Sequence, residues 1–340
     1  MKMKKLYFLL GLVLLFTACE VEFSPNAEWK NVPVVYCLLD QDDDTTWVRV
    51  QRCYLSDENV YSFGSVSDSI NYPQGSISVT LLAYDGETLK DSMDFEYVVR
   101  DHDGGNFASQ SQPLYRCFTQ GRLKENYRYK LMVRNADGTV LASSELISLI
   151  KKPEGDIFRK PTLTSLPDGR TMGQFGFYDQ NAGSTEYCRI EWAPFENARL
   201  YQPKVRFYYE EQGERKYVDV LCQKVKSGNG NSSIGIFYPR YTFLEDLKAK
   251  LVDDTCRKVY LKYVDLYVTS CSEDMNAYLA TAVSGGTLGQ EVELYSNING
   301  GIGVFAARRT HVCKRFPADS SLLDNRGLFY FLENLGVNVH

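Results

Sequence analysis

The chain has 340 residues and a formal charge of −5, with 44% hydrophobic and 24% charged residues. That balance excludes wholesale disorder, collagen and coiled coil, and its acidic sign argues against nucleic-acid binding and polybasic membrane attachment. Aromatics at 13% tilt the chain towards β-structure, and three histidines limit metal and imidazole chemistry.

The first predicted element is a leader. Lys2, Lys4 and Lys5 form a positive start, and Leu6 to Phe16 is an apolar run of 11 residues. Such a run is too short to span a bilayer and suits a signal peptide. Thr17 and Ala18 then precede Cys19. Residues 1–18 therefore read as a lipoprotein signal peptide, and Cys19 as the lipidated first residue of the mature chain. An ordinary signal peptide with an incidental cysteine is the alternative, and the leucine does stand one residue earlier than in the commoner lipobox. Removing the leader leaves 322 residues, a charge of −8 and, besides Cys19, eight cysteines. That length favours two domains. No long apolar segment follows, so the chain reads as held at a membrane through its N-terminal lipid without spanning it. Residues 19–31 form a polar tether. Glu20 and Glu22 resemble the acidic surface-export signal of Bacteroidota lipoproteins, and a plain solvated tether accounts for them equally.

Strands begin at Val32. Residues 32–40 and 46–54 flank an acidic loop and read as a hairpin, with Val48 and Val50 alternating against Arg49 and Gln51. A polar loop covers 56–75. Asp85-Gly86 and Asp137-Gly138 each mark the turn of a further hairpin. Tyr127, Tyr129, Leu131 and Val133 alternate with Arg128, Lys130 and Met132, the pattern of a strand with one wet face. About seven short strands and no helix over 32–150 suit an immunoglobulin-like or fibronectin-like β-sandwich. Residues 151–156, with Pro153 and Gly155, form a plausible hinge.

The second half, 151–340, reads as a second β-rich domain with two short helices. Strands are expected at 173–179, 187–194, 204–221 (turning at Gln212-Gly213) and 258–272, and a flexible loop over 226–233. Phe243, Leu244, Leu247 and Leu251 predict a helix over 240–252. Glu273 and Asp274 behind Ser272 predict another, stopped by Gly285-Gly286. The class is therefore mainly β.

Residues 292–308, VELYSNINGGIGVFAAR, resemble the Asn-Ile-x-x-Gly-x-Gly-x-Phe pattern of a Bacteroidota outer-membrane lipoprotein family, the domain-of-unknown-function 4249 family. Residues 33–55 resemble that family's opening hairpin, and the helix expected after a long strand fits its pattern. The resemblance covers most of the mature chain. It implies a lipoprotein of the outer membrane, often encoded beside TonB-dependent transporters. It brings no catalytic residues and no cofactor. Asn299, Gly300, Gly301 and Gly303 are candidate contacts for a partner or ligand, because glycines let another backbone approach; a structural turn or bulge explains them as well.

Other constellations are weaker. Asp40, Asp42 and Asp44 invite a calcium reading, but a helix–loop–helix calcium loop starting at Asp40 would need Gly and Glu where Thr45 and Gln51 stand. His102 lies between Asp101 and Asp103 on a polar loop, where a surface histidine is the simpler reading. Nucleophile-elbow, phosphate-loop and zinc-protease motifs are absent from the sequence, and His102 and His311 are the internal imidazoles a triad could recruit. The eight cysteines contain no Cys-x-x-Cys pair. Cys37–Cys53 could bridge the first hairpin; buried free thiols are the favoured reading for most. Phe207, Tyr208 and Tyr209 with Tyr260, Tyr263 and Tyr267 could form a glycan or peptide platform, or fill a core. The expected function is that of a non-enzymatic surface lipoprotein binding a protein partner or ligand beside a TonB-dependent transporter. A structural subunit of a pilus-like or matrix assembly is the alternative, and a glycan-active hydrolase the less favoured one.

Overall fold

The computed structural model describes residues 31–53, 70–101, 111–155, 187–211, 214–228, 230, 232–239, 263–284 and 294–317, with short pieces at 158–159, 164–165, 171–172, 242, 245–246, 249 and 257–258. The leader, Cys19, most of the tether, His102, Tyr260 and the Gly285-Gly286 stop lie outside the described residues.

The described residues of the first half hold nine strands, where about seven were expected: β1 (Pro33–Asp40), β2 (Thr45–Arg52), β3 (Ile77–Asp85), β4 (Thr88–Asp94), β5 (Glu96–Asp101), β6 (Ser111–Phe118), β7 (Arg128–Asn135), β8 (Val140–Ser144) and β9 (Ile147–Ser148). Three two-residue strands follow, β10 (Phe158–Arg159), β11 (Thr164–Ser165) and β12 (Thr171–Met172). Then come β13 (Tyr187–Trp192), β14 (Leu200–Glu211), β15 (Glu214–Leu221), β16 (Val225–Lys226), β17 (Ile234–Pro239), β18 (Arg257–Lys258) and β19 (Tyr263–Cys271). Helix α1 (Glu273–Ser284), β20 (Ile298–Asn299) and β21 (Ile302–Pro317) close the order.

Local sequence explains these elements. Gly86 and Gly138 take φ of 59° and 86°, as the Asp-Gly hairpin turns require. On β7, Tyr129, Leu131 and Val133 are buried and Arg128, Lys130 and Met132 are half-buried, the expected two-faced strand. Ser272 starts α1: its carbonyl accepts from Asn276 at 3.2 Å, and Glu273 and Asp274 place negative charge at the positive end of the helix dipole. The helix lies on the sheet, with Tyr278 packed edge-on to Tyr36 at 5.9 Å and their hydroxyls 3.3 Å apart. Of the helix expected at 240–252, Thr242, Glu245, Asp246 and Ala249 are helical and the rest lie outside the described residues.

The strands form a mainly β, sandwich-like architecture. One ten-stranded sheet runs β15-β14-β19-β21-β1-β2-β6-β5, with β16 and β18 beside β14. A six-stranded sheet runs β20-β8-β7-β3-β4, with β9 against β7, and a three-stranded one runs β10-β13-β17. The inner face of the long sheet is continuous. Val35, Cys37 and Leu39 of β1 lie level with Gly303, Phe305 and Ala307 of β21. Val205 and Phe207 of β14 lie level with Leu266 and Val264 of β19. These residues share one buried core with Val79, Leu81 and Tyr129 of the six-stranded sheet and Ile190, Trp192 and Ile236 of the three-stranded one.

The division expected after residue 150 cuts across this sheet. β21 pairs in parallel with β1 on one side and antiparallel with β19 on the other, so strands from both sides of 151–156 are joined in one ladder. Alternation along a strand reveals which face is wet and says nothing of which distant strand lies beside it.

Candidate functional site

The Gly-rich segment sits between the two layers. β20 pairs with β8, then β21 turns onto β1. A side chain on Gly300 (φ 77°) would meet the Leu141 carbonyl oxygen at 2.8 Å, and one on Gly301 the Pro33 carbonyl oxygen at 2.6 Å. Gly303 takes φ 126° directly against the Val35 carbonyl. Backbone-to-backbone approach thus accounts for all three glycines. Asn299 is exposed and its Nδ2 donates to Glu145 Oε1 at 2.9 Å. Beneath the loop lies the asparagine that opens the Asn-Ile-x-x-Gly-x-Gly-x-Phe pattern, to which the sequence assigned no role of its own. Asn297, 5% exposed, donates to the Phe305 carbonyl at 2.7 Å and accepts from the Phe305 N–H at 2.9 Å, as a strand partner would.

The acidic turn serves ion pairs. Asp40 Oδ2 accepts from Arg308 Nε at 2.9 Å, Asp42 from Arg309 Nε at 3.2 Å, and Asp43 from Arg308 Nη2 at 3.1 Å. Burial pushes the Asp40 carboxyl above its usual range although Arg308 acts the other way. Asp44 contributes its backbone carbonyl, which accepts from the Thr119 and Gln120 N–H groups. Of the three carboxylates in the calcium reading, those of Asp40 and Asp42 are engaged by Arg308 and Arg309. Among the described residues no group of three His, Cys, Asp or Glu could hold a metal ion.

The Cys37–Cys53 bridge is corrected by register. Cys37 faces Val48 across the hairpin, whereas the Cys53 N–H donates to Val32, five positions away. That separation is about 16 Å along the strand, beyond disulfide reach. Cys37, Cys53, Cys117, Cys222 and Cys271 are free thiols. Burial pushes the Cys222 thiol up to about 12, which suppresses the reactive thiolate.

The most developed surface is the outer face of β15, β14 and β19. Period-two alternation puts Lys204, Arg206 and Tyr208 on one side of β14, opposite Leu221, Asp219 and Tyr217 of β15. Tyr267 and Asp265 of β19 face Lys204 and Arg206 from the other flank. Cations and rings interleave: Lys204 Nζ lies 4.2 Å from the Tyr267 ring centre, the Arg206 guanidinium 3.8 Å from that of Tyr217, and the Arg215 guanidinium 4.4 Å from that of Tyr208. Asp219 holds the array, accepting from Arg206 Nε at 2.7 Å and from Lys204 Nζ at 2.9 Å. Tyr208 donates to the buried Asp265 at 2.6 Å. Tyr217 and Leu221 remain 53% and 58% exposed.

Phe207, by contrast, is core, so the Phe207-Tyr208 pair divides between the two faces. The alternations Lys204-x-Arg206-x-Tyr208 and Arg215-x-Tyr217-x-Asp219 were visible in the sequence. Their juxtaposition needed the hairpin register. His311 stands on β21 opposite Val268, away from this array.

Arg206, and after it Lys204, hold the Asp219 carboxyl down at about 2. A depressed carboxylate contributes stability above its unfolded value, near 4, and loses it as pH falls through the folded value. Asp219→Asn is therefore expected to lower stability on the order of 1 kcal/mol at pH 7, allowing for solvent screening. The gap to the unsubstituted protein should close between pH 4 and about 2 in denaturant titrations; a gap constant across that window would contradict the pairing.

No protein-family profile matches the chain, and no curated protein matches it. Among the described residues no helix is long and apolar enough to cross a membrane.

Proposed function

We propose that the chain is a non-enzymatic lipoprotein, anchored in the outer membrane through Cys19, that binds a protein partner or ligand beside a TonB-dependent transporter. The leader and Cys19 support the address. The interleaved Tyr–cation face carries the binding reading, because Tyr and Arg dominate the energetics of protein recognition and can be buried at little entropic cost when already braced. Asp219 and Asp265 hold Arg206 and Tyr208 in place before any partner arrives. A sheet face suits an extended peptide, a glycan chain or another protein surface better than a small solute.

Two changes test it in the native host. Cys19→Ala should shift the protein from the membrane to the soluble fraction. Arg206→Ala with Tyr217→Ala should lower recovery of a TonB-dependent transporter in detergent pull-downs about tenfold or more, the effect of losing roughly 1.4 kcal/mol. Equal recovery by the variant, or no transporter with the unsubstituted chain, would count against the reading. The second reading, a subunit of a surface assembly, is favoured by one observation: the long sheet ends in an exposed strand, β5.

A further inference from the structure

Among the described residues the ten-stranded sheet ends at β15 and β5, and the six-stranded sheet at β4 and the two-residue β20. A terminal strand leaves alternate backbone N–H and C=O groups outside the ladder, and sheets blunt such edges with charges, bulges or proline. β4 is blunted: Lys90 and Asp91 occupy its middle, Arg122 grips Asp91 at 2.8 and 3.1 Å, and a register shift interrupts its pairing with β3. β15 begins Glu214-Arg215-Lys216. β5, EYVVRD, keeps its charges at the ends and places Tyr97, Val98 and Val99 in the middle, with Val99 56% exposed.

We propose that β5 pairs antiparallel with β5 of a second copy, about a two-fold axis at Val98. The strand is complementary to itself in that register. Val98 meets its own copy, Glu96 meets Arg100, and Tyr97 meets Val99. The faces agree. Glu96 lies opposite Arg116, Arg116 lies opposite Trp47, and Arg100 stacks on the Trp47 ring at 4.8 Å, so both charges are on the outer face. Tyr97 lies opposite the buried Tyr115, and their rings meet edge-on at 5.7 Å, so Tyr97 and Val99 are on the inner face. The partner's Tyr97 then covers the exposed Val99, an aromatic–β-branched pair of the kind that stabilises sheets.

Other registers fail. Centred on Val99, the pairing sets Arg100 against Val98 and Tyr97 against Asp101. Centred on Tyr97, it sets Glu96 against Val98. A shift of one residue would mix the faces. The charge count also closes: Glu96 and Arg116 already pair at 2.6 Å, and each incoming Arg100 meets that neutral pair at its carboxylate end. The contact is isologous, so it stops at two copies, and the long sheet runs through both.

The test uses the full chain in mild detergent. Val98→Cys should form a disulfide-linked dimer under gentle oxidation, well above the baseline of the unsubstituted chain. Arg100→Cys should not, since its own copy lies about 13 Å away in this register. Glu96→Arg should weaken self-association about tenfold in sedimentation, because like charges then face each other twice, and adding Arg100→Glu should restore it. Circular dichroism of each variant checks that strand content is kept. A monomeric mass at every concentration, equal cross-linking at 98 and 100, or no rescue by the double exchange would overturn the proposal.

Discussion

Alanine at position 303 is expected to cost the protein on the order of 4 kcal/mol and to lower its melting temperature by about 10 °C. Two costs combine. Gly303 has φ 126°, a conformation that L side chains rarely adopt. Its added Cβ would also overlap the Val35 carbonyl oxygen and stand 2.8 Å from the Val35 carbonyl carbon. Neither backbone can retreat easily. β1 is held on its other side by β2, and Val35 is 1% exposed within the shared core. Relief therefore requires breaking the parallel β1–β21 ladder. Gly138→Ala supplies the comparison: φ is 86° but nothing lies within 4 Å, so a cost of about 1 kcal/mol is expected. Thermal melts of both variants separate strain alone from strain plus overlap. Equal effects would show that the close approach to Val35 does not exist in the folded protein.

Asn297→Leu should destabilise by about 3 kcal/mol. The leucine fits by volume and hydrophobicity, yet it leaves the Phe305 N–H and C=O without partners in a site closed to water, at roughly 1–3 kcal/mol each. The loss reaches further, because Asn297 Nδ2 also lies 3.2 Å from Asp274 Oδ1, which accepts from the Tyr295 hydroxyl at 2.7 Å. One side chain thus connects β21 to the start of α1. Asn297→Asp gives a pH signature that a packing defect would not. A new carboxylate beside Asp274 and the Phe305 carbonyl has its folded pKa raised by like charge and burial. Its penalty is full above that raised value and shrinks as pH falls and the group protonates. Denaturant titrations from pH 8 to pH 5 should therefore show the Asp variant gaining on the Leu variant as acid is added. Parallel curves would remove Asn297 from the role assigned to it.

Much of the local structure was legible. Tyr129, Leu131 and Val133 on one face of β7, the Asp-Gly turns and the acidic start of α1 all express rules that act within a few residues. The candidate face was half legible. Tyr208 and Tyr267 were marked by aromatic density, but Lys204, Arg206, Tyr217 and Asp219 became a unit only when β14 was seen between β15 and β19. The first hairpin shows the same limit on a smaller scale. Its existence followed from the acidic turn, yet the proposed Cys37–Cys53 bridge was five positions out of register. A pattern with period two leaves even shifts open, but this odd offset also sets Cys37 and Cys53 on opposite faces, which the alternation of Val48 and Val50 against Arg49 and Gln51 already implied.

By itself the sequence determined the class. Aromatic, alternating segments cut by short turns can bury their apolar faces only as sheets packed in layers. Tertiary structure alone decided which strands are neighbours. The ladder between β1 and β21 joins residues about 270 positions apart. Its specificity lies in shape: glycines that admit a backbone, an asparagine that imitates one, and arginines at 308 and 309 that reach the acidic turn. Such complementarity exists only once both partners are in place, so no local pattern announces that strands from both sides of 151–156 share the ten-stranded sheet.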